Sequence, residues 1–504
     1  MSASILFAKA FLPGRQTSPL KLLTKNGPII GEQISLPQVQ QKFGVFRGVP
    51  FAKPPVGKLR FQKPQRPDSW TEPLICNDWA PICVQFRAVG DIGQTKPDSE
   101  DCLYLNVSTP LDSLQLESKS EKCPILLFIH GGWNTSGGAM KAGMDNLLLA
   151  YVQHGITVVT VQYRLGPLGF SCTDDGTLKG NLALWDLTMA LQWVHDNAEC
   201  FGADAGRVTV AGWSAGSRVI TLLDQSPHST DLFHQMIMLS GSGVRLAPRE
   251  SVVEVTKTFP LWPLGPICDG EFLTEIPAKT LSTKSSNSKP MIMGTMKREL
   301  LGALFDAPMP MTIEHLHKCF DYVFGQNSES ITQAEQHYVV DANVASADDL
   351  MEAYLKFWSD VYYNGPIFNE ARLRVMHPDS CVFLFEMAYV SHWRFPDSVA
   401  DRFRHGSHGD EQKFIFGLSQ QHHVTDEVRE LDETETRISQ QWQAYVRNFV
   451  KFGSPSDQNN QNAAWKPATP GNMEFMAIEV NSTIKTNYCG ESAKFWHLDH
   501  FKKF

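Results

Sequence analysis

The sequence has few of the features that mark fibrous, membrane-spanning or nucleic-acid-binding proteins. Its 36 glycines follow no repeat, which excludes collagen, and no apolar run approaches the length of a membrane-spanning helix. Acidic residues outnumber basic ones, because 54 acidic and 45 basic residues give a net charge of −9. With no long lysine or arginine run, neither nucleic acid nor an anionic membrane is an expected partner. The 42% of hydrophobic residues predict a globular protein with a large core.

Cysteine is also scarce, and ten cysteines in 504 residues are too few for a disulfide scaffold. No CxxC pair occurs, and the spacing of His315, His317 and Cys319 fits no standard zinc site. We therefore expect no metal site. The N-terminus has a short apolar stretch that Lys9 interrupts, with no basic region before it, so no clear signal peptide is predicted.

Short apolar runs alternate with helical patterns along the chain. Uninterrupted apolar or β-branched runs predict buried strands at 124–130, 156–163, 207–211, 235–239, 290–294 and 382–387. Apolar residues at helical spacing predict helices through 184–194 and 438–449. This alternation predicts an α/β fold with a mostly parallel sheet covered by helices on both faces. Since the polar stretches are typical of surface loops and not of linkers, we expect one domain over 1–504.

The sharpest local feature is the motif GWSAG at 212–216, which directly follows the predicted strand 207–211. A serine on a tight strand-to-helix turn is typical of a nucleophile elbow, in which the flanking glycines relieve crowding. The N-terminus of the following helix favours developing negative charge. Ser214 is therefore the candidate nucleophile, and a purely structural turn is the alternative.

Two further segments would complete an acyl-transfer site. The motif HGGW at 130–133 follows a predicted strand, and its glycines leave backbone amides open to a carbonyl oxygen, although a simple glycine-rich turn is the alternative. The candidate base is His408, in a small polar loop at 406–411, and the candidate acid is Glu299, just after the predicted strand 290–294. The alternative for either residue is a solvated loop side chain, since the chain has 16 histidines.

Longer motifs resemble the type-B carboxylesterase/lipase family, which includes carboxylesterases, cholinesterases and the catalytically inactive neuroligins. The resemblance runs nearly end to end. The most specific segments are FRGVPFAKPPVG at 46–57, SEDCLYLNV at 99–107, YRLGPLGF at 163–170, GTMKRE at 294–299 and GSHGDE at 406–411.

The resemblance implies an α/β-hydrolase fold and a serine hydrolase that cleaves small carboxylic esters without a cofactor. It implies that Ser214 is the nucleophile, Glu299 the orienting acid and His408 the general base. It leaves the oligomeric state open. It also implies that the region around 250–270 is shortened, because a helical cap and a second disulfide of the family are missing there.

The same resemblance implies an oxyanion hole built from the backbone amides of Gly132, Trp133 and Ala215. The family usually has a third glycine where this chain has Trp133, and a glutamate where it has Trp213. We therefore expect two bulky aromatic side chains to crowd the site. Trp133 is predicted to slow hydrolysis, or to restrict it to small or unusually shaped acyl groups.

Cys83 and Cys102 match the first disulfide of the family, which implies an oxidising compartment for relatives. The compartment of this chain stays open: secretory if that disulfide forms, cytoplasmic if the chain start is complete.

Two other functions would use the same residues. A catalytically weak or inactive binding protein of the neuroligin kind is one, although such relatives lose the serine that this chain keeps. Transfer of the acyl group to an alcohol instead of water is the other, since it uses the same acyl-enzyme.

Overall fold

One large β-sheet forms the centre of the structure, which is a computed structural model. The structure describes residues 14–37, 39–85, 97–115, 121–258, 264–283, 289–300, 310–325, 327–391, 393, 401–403, 406–417, 420–421, 428–456, 465–490 and 492–496. The described strands are β1 (Gln16–Leu23), β2 (Pro28–Ser35), β3 (Lys42–Pro50), β4 (Leu74–Ile75), β5 (Ile82–Cys83), β6 (Asp98–Ser99), β7 (Tyr104–Pro110), β8 (Cys123–Ile129), β9 (Thr157–Val161), β10 (Ala203–Trp213), β11 (Gln235–Leu239), β12 (Met291–Met296), β13 (Val382–Met387), β14 (Gln420–Gln421), β15 (Val428–Arg429), β16 (Phe475–Ile478) and β17 (Thr483–Lys485).

The order of strands in the sheet reverses at its centre. The order is β1-β2-β3-β7-β9-β8-β10-β11-β12-β13-β16-β17, with β4 added beside β2. The seven strands from β9 to β16 run parallel, and the outer strands pair antiparallel. From β8 the chain passes to β9 on one side and later returns to β10 on the other. In open α/β sheets, ligands bind at the carboxyl ends of strands where the order reverses in this way.

The central strands are buried on both faces, which explains their uninterrupted apolar sequences. In β8, Ile125, Leu127 and Ile129 pack into one hydrophobic cluster, whereas Leu126 and Phe128 pack into a second cluster on the opposite face. Successive side chains of a strand point to opposite faces, so each face receives every second residue. The predicted parallel sheet with two covered faces is confirmed.

Helices cover the sheet on both faces. The described helices are α1 (Met144–Ala150), α2 (Gly166–Phe170), α3 (Leu182–Asn197), α4 (Ala215–Gln225), α5 (Arg249–Thr258), α6 (Pro277–Thr283), α7 (Ile313–Phe324), α8 (Ser328–Glu335), α9 (Ala347–Ser359), α10 (Gly365–Val375), α11 (Asp410–Phe416), α12 (Glu433–Phe452) and α13 (Ser492–Phe495).

The six predicted strands and both predicted helices are present. The strands predicted at 235–239 and 382–387 have the predicted ends, and the ends of the others are shifted. The strand predicted at 207–211 runs from Ala203 to Trp213, and the helix predicted through 438–449 extends over the whole of α12. α12 is longer because Asp432 caps its first turn and Gly453, at φ 73°, ends it. The single domain and the shortened region around 250–270 stay predictions, and residues 259–263 of that region lie outside the described residues.

The expected disulfide between Cys83 and Cys102 is present, with Cα atoms 5.0 Å apart. It joins β5 to the segment that enters β7.

Candidate active site

Ser214 occupies a sharp turn between β10 and α4. Its backbone has φ 54° and ψ −121°, a region that residues with side chains seldom adopt. The turn is held because the Ser214 N–H donates to the Leu239 carbonyl at 2.8 Å, and its own carbonyl accepts from the Arg218 N–H at 2.9 Å. A side chain at Gly216 would collide with the carbonyl of Ile129 in β8, so the glycine is required for close packing. Ser214 is thereby held at the carboxyl end of β10, next to the point where the strand order reverses.

The structure brings Ser214, His408 and Glu299 together from three distant parts of the chain. The Nε2 atom of His408 lies 2.8 Å from Oγ of Ser214. Its Nδ1 atom lies 2.7 Å from Oε2 of Glu299. The Glu299 side chain is fully buried and that of His408 is 13% exposed. The three residues thus form one continuous hydrogen-bonded line.

The chemistry of the carboxylate decides which imidazole nitrogen carries the proton. An ionised carboxylate only accepts hydrogen bonds, so Nδ1 of His408 donates to Glu299. In the neutral ring, Nε2 is then the acceptor and faces the hydroxyl of Ser214. This is the tautomer that a general base acting on Ser214 requires.

Short contacts hold Glu299 in place. Its Oε1 atom accepts from the Met296 N–H at 2.8 Å, at the end of β12, and its carbonyl accepts from the His408 N–H at 2.8 Å. The hydroxyl of Ser359 accepts from the Glu299 N–H at 3.3 Å. Glu299 and His408 are therefore linked by backbone as well as by side chain, which limits their relative movement.

Two aromatic rings enclose the imidazole of His408. The Trp213 indole lies on one side, with centroids 5.0 Å apart, and the Tyr363 ring lies 4.3 Å away. Gly409 lies at φ 91°, and a Cβ there would come within 2.8 Å of the Trp213 ring. The sequence did not single out Tyr363, and no motif marks it.

Tyr363 reaches the site through an irregular turn. Residues Asp360–Asn364, between α9 and α10, are π-helical, and the Gly365 N–H donates to the Asp360 carbonyl five residues earlier. Such single turns occur often at functional sites. They place Tyr362 and Tyr363 side by side, with ring centroids 6.3 Å apart.

The three residues predicted to form an oxyanion hole follow the ends of β8 and β10. Ala215 is the first residue of α4, and Gly132 and Trp133 follow β8 at φ 116° and 55°. Within the described part of the chain, no hydrogen bond is donated by the backbone N–H of Gly132, Trp133 or Ala215. These amides are thus available to an oxygen atom, and their role stays a prediction.

The Trp133 indole packs against tyrosines near the site. Its ring centroid lies 5.7 Å from Tyr362 and 6.5 Å from Tyr363, both in edge-to-face geometry, and the residue is 40% exposed. Trp213, in contrast, packs on His408. The two tryptophans therefore occupy different walls of the site.

A second buried carboxyl group, Glu411, lies beside the triad candidates. It is fully buried in α11, and its Oε1 atom accepts from the hydroxyl of Ser240 at 2.7 Å. Burial, together with the negative charge of Glu299, raises the pKa of Glu411 to about 8. Glu411 belongs to the motif at 406–411, but its sequence context did not indicate burial.

A buried ionic cluster anchors the other end of α4. Asp224 lies 2.8 Å from the Lys289 ammonium and 2.9 Å from the Arg374 guanidinium, and Arg374 also pairs with Glu370. Burial opposes ionisation of Asp224, but the two cations lower its pKa below the ordinary value. This cluster fixes the helix whose first turn carries Ser214.

Neither a metal cluster nor a membrane span is found in the parts of the chain that the structure describes. No group of three or more His, Cys, Asp or Glu side chains is placed to hold a metal ion among them. His315, from the spacing considered above, instead caps α7 through Thr312. None of the described helices has the length and apolar character needed to cross a bilayer.

Comparison with known proteins gives a family match over most of the chain. The model of the carboxylesterase family matches residues 18–248 and 244–496. The two matches meet at 244–248, directly before the region predicted to be shortened.

Several carboxylesterases are similar over nearly their whole length. Carboxylesterase 1E of Mus musculus is 30% identical over 532 residues, covering 91% of each chain. Carboxylesterase 1C of Rattus norvegicus is 30% identical over 543 residues, covering 96% of this chain and 94% of the relative. Gut esterase 1 of Caenorhabditis elegans is 27% identical over 521 residues, covering 90% and 89%.

Proposed function

The chain belongs to the carboxylesterase family, and we propose that it hydrolyses carboxylic esters through an acyl-enzyme on Ser214. Membership of the family agrees with the α/β-hydrolase fold, whose parallel sheet flanked by helices is described above. The observation that carries the proposal is the hydrogen-bonded line from Ser214 through His408 to Glu299, with heavy-atom distances of 2.8 and 2.7 Å.

The first half of the reaction transfers the acyl group to the enzyme. Oγ of Ser214 attacks the ester carbonyl carbon while Nε2 of His408 takes the hydroxyl proton. The carbonyl oxygen becomes an oxyanion, which the backbone amides of Gly132, Trp133 and Ala215 stabilise. Collapse of the tetrahedral intermediate breaks the bond to the alcohol, and His408 returns the proton to the leaving oxygen.

The second half repeats the same steps with water. His408 takes a proton from water as the water oxygen attacks the acyl carbon, and then returns it to Oγ of Ser214 as the carboxylic acid leaves. Throughout, the buried carboxylate of Glu299 orients the imidazole and stabilises its positive charge after each proton transfer. No cofactor enters either half.

Labelling with a fluorophosphonate probe tests the nucleophile. The probe should label the wild type and should fail to label Ser214→Ala and His408→Ala. Ser282→Ala is the matched control, because Ser282 is exposed on α6 and bonds only its own helix, and it should label like the wild type. Equal labelling of the wild type and Ser214→Ala would refute the proposal.

The same preparation separates the other two functions. A binding protein without catalysis predicts no labelling and no release of acid from an activated ester. An acyltransferase predicts that added alcohol diverts most of the acyl group into a new ester, whereas a hydrolase keeps releasing the free acid.

A further inference from the structure

A cationic side chain lies one helical turn beyond the candidate nucleophile. Arg218 in α4 donates its backbone N–H to the carbonyl of Ser214 at 2.9 Å. Side chains four residues apart lie on one face of a helix and point back towards its N-terminus, so Arg218 projects towards the turn that holds Ser214. The Arg218 side chain itself is partly buried.

A second arginine lies beside the first. The NH2 group of Arg218 donates to the carbonyl of Arg245 at 3.3 Å, and NH1 of Arg245 donates to the carbonyl of Val361 at 3.1 Å. Burial, and then the charge of Arg218, lower the pKa of Arg245 to about 10. The contact with Val361 places these two residues, the arginine pair, beside the π-helical turn 360–364, which carries Tyr362 and Tyr363.

The partly buried Arg218 differs in its partners from the fully buried arginines. Arg164 pairs with Asp186 at 2.7 Å, and Arg374 pairs with both Asp224 and Glu370. For Arg218, by contrast, no aspartate or glutamate of the described residues forms an ion pair. A partly buried cation beside a second cation favours a negative charge nearby.

The carboxylates of the site do not supply that charge. Glu299 is engaged by His408 and by the Met296 amide. Glu411 is engaged by Ser240, on the neighbouring strand end. The negative charge that Arg218 favours would thus come from a bound molecule.

We propose that Arg218 of the arginine pair binds a carboxylate carried by the ester substrate, so that this enzyme prefers anionic esters. A guanidinium matches a carboxylate with two parallel hydrogen bonds, and its charge complements the anion. The rings of Trp133, Tyr362 and Tyr363 cover the apolar chain that joins the carboxylate to the ester. This specificity rests on the proposed function, because it concerns the substrate of the Ser214 site.

Three ethyl esters with the same six-carbon acyl chain test the preference. Monoethyl adipate ends in a carboxylate, ethyl hexanoate in a methyl group and ethyl 6-aminohexanoate in an ammonium group. Release of ethanol gives kcat/KM for each. We expect the wild type to hydrolyse monoethyl adipate about tenfold or more faster than ethyl hexanoate, with the cationic ester slowest, since opposite charges attract and like charges repel at a partly buried site.

Variants of Arg218 assign the preference to this side chain. Arg218→Gln should remove the preference for the anionic ester while leaving kcat/KM for ethyl hexanoate within about threefold. Arg218→Lys, which keeps the charge but loses the paired hydrogen bonds, should restore part of the preference. Arg437→Gln is the matched control, because it removes the same charge from an exposed position on α12.

The outcomes separate this inference from the proposed function. If the wild type takes up the fluorophosphonate probe but hydrolyses the neutral ester as fast as the anionic one, the arginine pair has no such role and the hydrolase assignment stands. The arginine pair is equally excluded if Arg218→Gln labels normally and keeps the wild-type preference. If the wild type is not labelled by the probe and hydrolyses none of the three esters, the proposed hydrolase function itself is refuted.

Discussion

The Trp213 indole lies against the His408 imidazole, with ring centroids 5.0 Å apart and ring planes tilted by 30°. Trp213 is the residue directly before the candidate nucleophile, so a single backbone turn carries both Ser214 and a ring that supports its base. The imidazole becomes positively charged during each proton transfer, and an aromatic face attracts a cation. The bulky residue at this position therefore adds support for His408, and the Tyr363 ring, with its centroid 4.3 Å away, adds a second contact.

Glu299→Gln is expected to lower kcat on an activated ester by at least about a hundredfold without unfolding the protein. An amide keeps the size of the side chain but does not stabilise the positive imidazole, and its NH2 group favours the wrong tautomer of His408. Glu433→Gln, at an exposed position in the first turn of α12, is the control. Unchanged turnover at an unchanged melting temperature would mean that another residue supplies the acid.

Trp133→Gly is expected to raise kcat/KM on a short-chain activated ester by about tenfold or more, which corresponds to about 1.4 kcal/mol of recovered donor alignment. Trp133 lies at φ 55°, where glycine is favoured, and its exposed indole leaves no closed cavity when removed. The melting temperature should not fall.

Trp133→Ala is the matched variant, since it removes the indole but keeps a Cβ at the same backbone angle. If kcat/KM rises in both variants, the indole ring is the obstacle to hydrolysis. If it rises only in Trp133→Gly, the orientation of the backbone amide at this position limits the rate. A lower rate together with a lower melting temperature in Trp133→Gly would show that the indole is structural.

Glu411→Gln is expected to make the free energy of unfolding less dependent on pH between about 5 and 8. The pKa of Glu411 in the folded state is raised to about 8 from an ordinary value of 4.5, so the folded protein binds this proton more tightly than the unfolded chain. The stability contributed by the protonated group is complete below about 4.5 and is lost as pH rises through about 8.

Urea unfolding of the wild type and Glu411→Gln at pH 5 and pH 8 measures this effect. From pH 5 to pH 8, the free energy of unfolding of the wild type should fall by at least about 1 kcal/mol more than that of Glu411→Gln. The difference arises because the glutamine side chain does not titrate. Parallel losses in both proteins would show that Glu411 is ionised in the fold.

Asp224→Asn is expected to lower the free energy of unfolding by about 3–5 kcal/mol. The substitution removes the negative charge that pairs with both the Lys289 ammonium and the Arg374 guanidinium, and both cations stay buried. Asp231→Asn is the control, because Asp231 is exposed near the other end of the loop that follows α4. A loss below about 1 kcal/mol, measured by denaturant unfolding, would mean that the cluster contributes little to stability.

The sequence by itself determined the features that depend on neighbouring residues. Uninterrupted apolar runs predicted the buried strands, because a strand covered on both faces needs no polar alternation. The glycines around Ser214 predicted the sharp turn, because the strained backbone and the close approach of β8 are local demands. The wider motifs, through their family resemblance, also indicated Glu299 and His408.

Only the tertiary structure decided what surrounds those residues. His408 lies 194 residues from Ser214 and 109 from Glu299 in the chain, so their hydrogen bonds form only when β10, β12 and the loop before α11 meet at one end of the sheet. Tyr363 comes from an irregular π-helical turn, and Arg218 becomes a candidate for substrate binding only because the folded chain gives it no acidic partner among the described residues. Spacing in a sequence specifies which side chains share a strand or a helix face. Burial, ring contacts and the pairing of charges depend instead on elements that are remote in sequence and adjacent in space.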